Sequence, residues 1–254
     1  MAHTKTTRTE TGRLSKNMTA PATRPRQPRL TRQEKSERSR ALICEAAAEI
    51  IGEYGYADAT ISRIMERAGL ACGTFYAYFD SRQDLFDVLL PMKGEEVLDA
   101  LNAAANSPLG IVELEARAFL DFFFYVQQHP WFFRLLHEAH VATPEGYRRH
   151  VSNLLVRYRK LLGRHHDAGE MPGYDKNELD TLAFLLMSAR DYVYSHSVAG
   201  SDDAAATIRK AAATYKKFVA HGLRGAAGAE TGPPSPPASL RKTPRVRGRK
   251  PEKP

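Results

Sequence analysis

The chain has 254 residues, 43% of them hydrophobic, which is enough for a sizeable core in one or two domains. No apolar run reaches membrane-spanning length, and the basic, Thr-rich start lacks an apolar signal core, so the expectation is a cytoplasmic protein without a membrane partner. The net charge of +8 is unevenly placed: residues 1–40 hold 11 Lys+Arg against 3 Asp+Glu and residues 226–254 hold 7 against 2, which leaves residues 41–225 at −5.

In chain order, residues 1–31 read as a disordered basic arm. A first helix is expected from Arg32 or Ser36 to Tyr54, stopped at Gly55, with Ala41, Leu42, Cys44, Glu45, Ala48 and Ile51 around it. Residues 60–79, TISRIMERAGLACGTFYAYF, lay out two short helices around a glycine turn. Thr60 is a good N-cap, and Ile61, Ile64, Met65 and Ala68 recur at helical spacing. Gly69 ends that helix. Leu70 begins a second packing surface, after which Phe75 and Phe79, four apart, point inward while Thr74, Tyr76, Ala77 and Tyr78 look outward. Such an outward face suits phosphate and base-edge contacts in a major groove.

Ser81-Arg82-Gln83-Asp84 is close to a capping box, opening a helix that runs to about Asn106 with a kink at Pro91. Further helices are expected over residues 109–129, 131–140, 143–166, 176–198 and 202–223, the third opened by Thr143-Pro144-Glu145. No strand signal or internal repeat interrupts the series. The fold class is therefore all-α, with about nine helices.

Residues 37–90 resemble the TetR family of bacterial transcriptional regulators. The resemblance rests on the helix SRALICEAAAEIIGEYGY, the helix opened by Thr60, the AGL turn, the segment GTFYAYF, and DSRQDLFDVLL after it. It implies that the GTFYAYF segment is the reading helix, and that Ser81 and Arg82 start the helix joining the head to the body. The chain departs from the family at Ala71 and Cys72, where a serine cap and a polar residue are usual, and at Met65, where alanine is usual. The DNA-facing candidates are Thr60, Ser62, Arg63, Cys72, Gly73, Thr74, Tyr76, Ala77, Tyr78 and Arg82, and the expected partner is a double-stranded operator.

In the body, FLDFFFYVQQHPWFFRLLHEAH is apolar on most sides, as in a helix that is buried or lines a cavity. Core packing alone accounts for this as well as a pocket does. The resemblance implies an inducer pocket in each subunit, with Phe119, Phe123, Trp131, Phe132, Leu136, Tyr158, Phe184, Met187 and Tyr192 as lining. His137, His140, Arg190 and His196 are the polar anchor candidates, for a sizeable hydrophobic or aromatic effector. It further implies that the last two long helices, with more apolar surface than one contact uses, pair with a second copy in a homodimer.

The remaining motifs are weaker. His137-x-x-His140 and His165-His166 lack a completing carboxylate or cysteine, so no metal and no cofactor is expected. Cys44 and Cys72 read as free thiols, although Cys72 beside the reading helix leaves a thiol-sensor reading open. No nucleophile elbow, phosphate loop or dinucleotide fingerprint points to an enzyme. In the tail, Arg247-Gly248-Arg249 looks like an AT-hook core for the A·T minor groove, with a generic basic tail as the alternative. Both arms read either as solvated linkers or as segments that touch DNA, where Lys and Arg gain affinity by releasing counterions.

The expected organisation is thus a basic arm (1–31), a three-helix helix-turn-helix DNA-binding domain (32–80), a helical ligand-binding and dimerisation domain (81–225) and a Pro-rich basic tail (226–254). The expected function is a ligand-responsive DNA-binding regulator, a repressor, with an architectural DNA-binding protein relying on its arms as the alternative.

Overall fold

A computed structural model describes residues 31–105 and 108–224, without the side chains of 102–105. The chain divides into a unit ending at Ser39 and a larger one beginning at Arg40. In the described part of the first, the Thr31 amide donates to Glu34 (2.7 Å) and the Glu34 amide to the Thr31 hydroxyl (3.2 Å), a reciprocal cap at the start of helix α1 (Arg32–Asp58).

Within the larger unit, α1 buries Ile43, Ala47, Ile50 and Ile51, and its regular helix is interrupted at Gly55, where φ is +82°. The Thr60 hydroxyl accepts the Arg63 amide at 3.3 Å and caps α2 (Ile61–Arg67). That helix ends at Gly69, whose φ of +67° is the left-handed conformation glycine adopts without a side-chain clash. Leu70 N–H then reaches back to Met65 O (3.0 Å) and Gly69 N–H to Glu66 O (3.1 Å), which satisfies carbonyls the helix end would leave bare. The expected second helix is a six-residue 3-10 turn, Cys72–Ala77, rather than an α-helix. Its inward pair nevertheless holds as the spacing requires: Phe75 and Phe79 are buried, with ring centroids 5.6 Å apart.

The body follows as α3 (Arg82–Ala105), α4 (Ile111–Gln128), α5 (Phe132–Ala142), α6 (Pro144–Asp167), α7 (Leu179–Val193) and α8 (Ala204–Gly222). A 3-10 turn, Lys176–Glu178, precedes α7, and a π-helical turn, Tyr194–Val198, follows it. Among the described residues there is no strand, and no helix is long and apolar enough to cross a membrane. Helix α3 continues through Pro91. The N-terminus of α4 is held by Glu170, whose carboxylate accepts the Ile111 amide at 2.6 Å, a negative charge placed where the helix dipole favours it.

Helix α4 packs on α8, α3 on both α4 and α6, and α6 on α7. Their apolar stripes meet in one core in which Phe119 stacks on Tyr215 (4.0 Å) and Phe133 on Tyr194 (4.1 Å).

Candidate nucleic-acid interface and internal cavity

The helix-turn-helix presents a largely polar outer surface. Thr60, Ser62, Arg63, Cys72, Gly73, Tyr76 and Ala77 are exposed, while Thr74, Tyr78 and Arg82 are half-buried. Tyr76 is 64% exposed, with the Phe75 ring edge-on to it at 5.4 Å. Two arginines are held at the end of α1: Arg63 donates to Asp58 O and Arg82 to Ala57 O, both at 3.1 Å. Cations suit that position because unpaired carbonyls and the helix dipole make it negative. The Arg63 guanidinium also lies over the Tyr54 ring (4.9 Å) and that of Arg82 over Phe86 (5.5 Å). Arg40, exposed on α1 and lying over the Phe79 ring at 5.3 Å, was not among the sequence candidates. Its signal was the basic end of the first helix. Arg247, Gly248 and Arg249 lie outside the described residues.

Cys72 is exposed and Cys44 buried, and burial pushes the Cys44 thiol up to about 11.

A cavity of about 600 Å³ opens among α3 to α7. That volume is in the range of small-molecule sites. Helix α3 contributes Gly94, Val97 and Leu98, α4 Leu114 and Phe122, and α5 Phe132, Phe133 and Leu136. One face of α6 runs along it as Tyr147, His150, Val151, Leu154, Tyr158 and Leu161, with the basic Arg157, Lys160 and Arg164 toward its C-terminal half. Phe184, Met187 and Arg190 come from α7.

Of the sequence candidates, Phe132, Leu136, Tyr158, Phe184, Met187 and Arg190 are brought together here. The others lie elsewhere, each for a packing reason. Phe119 and Phe123 are fully buried against one another (4.6 Å), Phe119 turned to Tyr215 on α8 and Phe123 toward Tyr194 (6.1 Å). Trp131 is buried with the Lys93 ammonium over its ring at 5.5 Å. His137 is exposed and bonded to Asp191 at 2.6 Å, His140 is exposed with its ring edge-on to Tyr147, and Tyr192 is 70% exposed with its ring against His196. Sequence reading passed over Phe122, Phe133 and His150. The three-and-four spacing of Tyr147, Val151, Leu154, Tyr158 and Leu161 on α6 was the signal that could have found that wall.

Arg190, expected as an anchor for a ligand carboxylate, already has one. Its Nη2 donates to Glu115 Oε2 and the Tyr215 hydroxyl donates to the same oxygen, both at 3.0 Å, while Nη1 donates to Leu186 O at 2.8 Å. All three side chains are buried. Burial works against the charged guanidinium, but Tyr158, Glu115 and Tyr215 around it keep its pKa raised. Tyr158 and Tyr215 are pushed up in turn, chiefly by burial.

His150 is another polar group in the wall, 4% exposed. Burial pushes its imidazole down to about 4, against the opposing pull of Glu95, so at neutral pH it is uncharged. Its ring lies against Gly94, where a Cβ would stand 2.3 Å from Nδ1. Glycine inside a helix costs about 1 kcal/mol relative to alanine, and here it leaves the space the imidazole fills.

Against known proteins, the profile of the family described as bacterial regulatory proteins, tetR family, matches residues 43–89. The HTH-type transcriptional regulator BetI of Escherichia coli O157:H7 is 32% identical over 149 residues, 51% of this chain and 72% of that protein. The fatty acid metabolism regulator protein of Bacillus subtilis is 36% identical over 76 residues, covering 28% of this chain and 39% of that protein's length. The fold is shared with the B. subtilis regulator FadR solved in complex with stearoyl-CoA, at a TM-score of 0.58 and 18% identity over 69% of this chain and 96% of that one. The chain belongs to the TetR family: it is a helix-turn-helix DNA-binding transcriptional regulator.

Proposed function

We propose that the chain acts as a homodimeric repressor released from its operator by an amphiphilic effector, with a long acyl or aromatic body, held in the cavity among α3 to α7. The observation that carries this is the cavity itself: about 600 Å³, largely apolar, with cationic Arg157, Lys160 and Arg164 along one stretch of its wall. An anionic group at that end fits the chemistry, Lys160 having no ion-pair partner among the described residues. The FadR relative solved with stearoyl-CoA supports an acyl thioester as the first probe.

Dimer formation is supported by apolar side chains left bare on the last two helices. Leu185 is 62% exposed and Tyr192 70%, seven residues apart on α7, and Phe218 on α8 is 68% exposed. Single exposed apolar residues are ordinary, but several large ones on the last two helices fit a contact surface. DNA contact is assigned to Tyr76, Thr74, Tyr78 and the neighbouring exposed positions, with the two basic arms adding affinity.

The test selects an operator from random-sequence duplex with the purified protein, then titrates the complex with stearoyl-CoA and with free CoA at fixed salt. Release by the thioester alone, at stoichiometry of two chains per operator, is expected. No release by any acyl or aromatic probe, with DNA binding intact, would remove the ligand-responsive part of the reading.

A further inference from the structure

His150 is a buried polar side chain without a purpose in the core. Neither ring nitrogen has a hydrogen-bond partner among the described residues, and the side chain, 4% exposed, lines the cavity. Native proteins pair nearly all buried polar groups, and each exception calls for an explanation. Leucine or phenylalanine would fill the same volume without that cost. Gly94 strengthens the point, since a Cβ there would stand 2.3 Å from Nδ1 and 2.4 Å from Cε1. A position that weakens its own helix is occupied by the one residue that admits the imidazole. With Nδ1 and Cε1 against Gly94, Nε2 is the ring nitrogen left to meet a ligand, as donor or acceptor according to the tautomer.

We propose that His150 is a specificity-determining residue, forming a subsite for an uncharged oxygen, a hydroxyl or ketone, carried within the apolar body of the effector. The inference rests on the effector cavity proposed above and adds to it the chemistry of one end. An anion is disfavoured there, because a neutral imidazole gives it no countercharge and Glu95, which acts on the ring, is already paired with Arg157 at 2.6 Å. A hydrocarbon leaves the imidazole unpaired. Charge belongs instead at the other end of α6: Lys160 lies ten residues on, about 15 Å along the helix axis. The effector is therefore polar at two separated points, anionic near Lys160 and hydroxylated or oxo-substituted near His150.

The probes are naphthalene and 2-naphthol, which have the same fused-ring skeleton and differ by one hydroxyl. Their affinities are measured by fluorescence for the full chain and for His150→Leu and His150→Gln, with thermal melts alongside. The parent binds 2-naphthol about fivefold tighter than naphthalene, the worth of one neutral hydrogen bond. In His150→Leu the order reverses, because an unpaired hydroxyl in an apolar site is penalised. Glutamine, which restores a donor and an acceptor, recovers the preference for 2-naphthol. In parent protein labelled with ¹⁵N at histidine, the His150 ring resonances, assigned by their loss in the variants, shift with 2-naphthol and stay in place with naphthalene. A preference that survives in His150→Leu, or a parent that binds both probes equally, overturns the subsite while leaving the cavity standing. Binding of neither probe by a protein that binds stearoyl-CoA overturns the subsite alone, and failure to bind stearoyl-CoA as well removes the effector cavity with it.

Discussion

The carboxylate of Glu138, on α5, accepts the backbone N–H of Tyr56 at the far end of α1, 2.9 Å away. Arg134, one turn earlier, completes the grip: it donates to Glu138 (2.7 Å) and to the carbonyls of Gly52 (3.2 Å) and Glu53 (2.8 Å). A side chain at Gly55 would collide with both, at 2.8 Å from Glu138 and 2.9 Å from Arg134. The same helix turns Phe132, Phe133 and Leu136 into the cavity. Helix α5 therefore touches the DNA-binding head with one face and the cavity with the other, and a shift of α5 on filling the cavity would be felt where α1 ends.

Arg134→Ala should uncouple the two ends. Direct binding of stearoyl-CoA is expected to change less than twofold, while the drop in operator affinity that it causes shrinks by about 1–2 kcal/mol, the usual scale of coupling between sites. Operator titrations with and without ligand, beside calorimetry of the ligand alone, measure both quantities. An unchanged ratio of the two operator affinities would show that coupling takes another route.

Tyr76 offers a phenol at 64% exposure while its neighbour Phe75 is fully buried. Tyr76→Phe should weaken operator binding by about 1 kcal/mol, the worth of one phosphate hydrogen bond, and leave the melting temperature unchanged. Phe75→Ala should instead cost about 3–5 kcal/mol of stability. Gel-shift titration and thermal melts separate the two, and equal operator affinity for Tyr76→Phe would count against Tyr76 as a DNA contact.

Phe184 and Phe123 should part company. Phe184 borders the cavity and is 43% exposed, whereas Phe123 is fully buried and lies outside the lining. Phe184→Ala is expected to lower ligand affinity with less than about 1 kcal/mol lost in stability, and Phe123→Ala to cost about 3–5 kcal/mol. A stable Phe184→Ala protein with parental ligand affinity would take that residue out of the site.

The pH dependence of stability should carry the mark of His150. Burial holds its pKa near 4, below the unfolded value of 6.5. The unfolded chain then binds the extra proton first, so as the pH falls from 6.5 to 4 stability declines, by up to about 3 kcal/mol from this group. Above pH 6.5 both states are neutral and the contribution is flat. Denaturant unfolding of parent and His150→Gln across this range isolates the difference, and parallel curves would show that the ring is solvated.

Trimming the chain to residues 31–224 removes both basic arms and leaves an acidic body. The trimmed protein should select the same operator with a lower affinity and a shallower dependence of log affinity on log salt. Restoring residues 225–254 should favour operators flanked by A·T tracts, if Arg247, Gly248 and Arg249 enter the minor groove. Equal recovery on A·T and G·C flanks would make that tail a generic polycation.

The helices were legible because their punctuation is local. Thr60, Gly69, Pro144 and the Phe75–Phe79 spacing fix elements from within a few residues, and the structure keeps those boundaries to within a turn. The cavity was legible only in part, since helical spacing shows that Phe119, Phe122 and Phe123 are apolar but not which neighbouring helix each one meets. Phe122 turns to the cavity, and Phe119 turns to Tyr215 on α8, almost a hundred positions away. Arg190 failed for the same reason: its partner Glu115 is 75 residues distant, and a short window shows a free cation where the fold has made an ion pair.

That ion pair makes the two sides of the cavity unequally open to change. Losing either Glu115 or Arg190 alone strands a bare charge in the interior, which typically costs about 3–5 kcal/mol, a large share of what holds a domain of this size together. A lineage acquiring a new effector cannot rework that wall one substitution at a time. The exposed Phe184, the half-buried Met187 and the α6 face opposite carry no such debt, so new ligand preferences should accumulate there first, with the Glu115–Arg190–Tyr215 bridge passed down as a fixed wall against which the rest is remodelled.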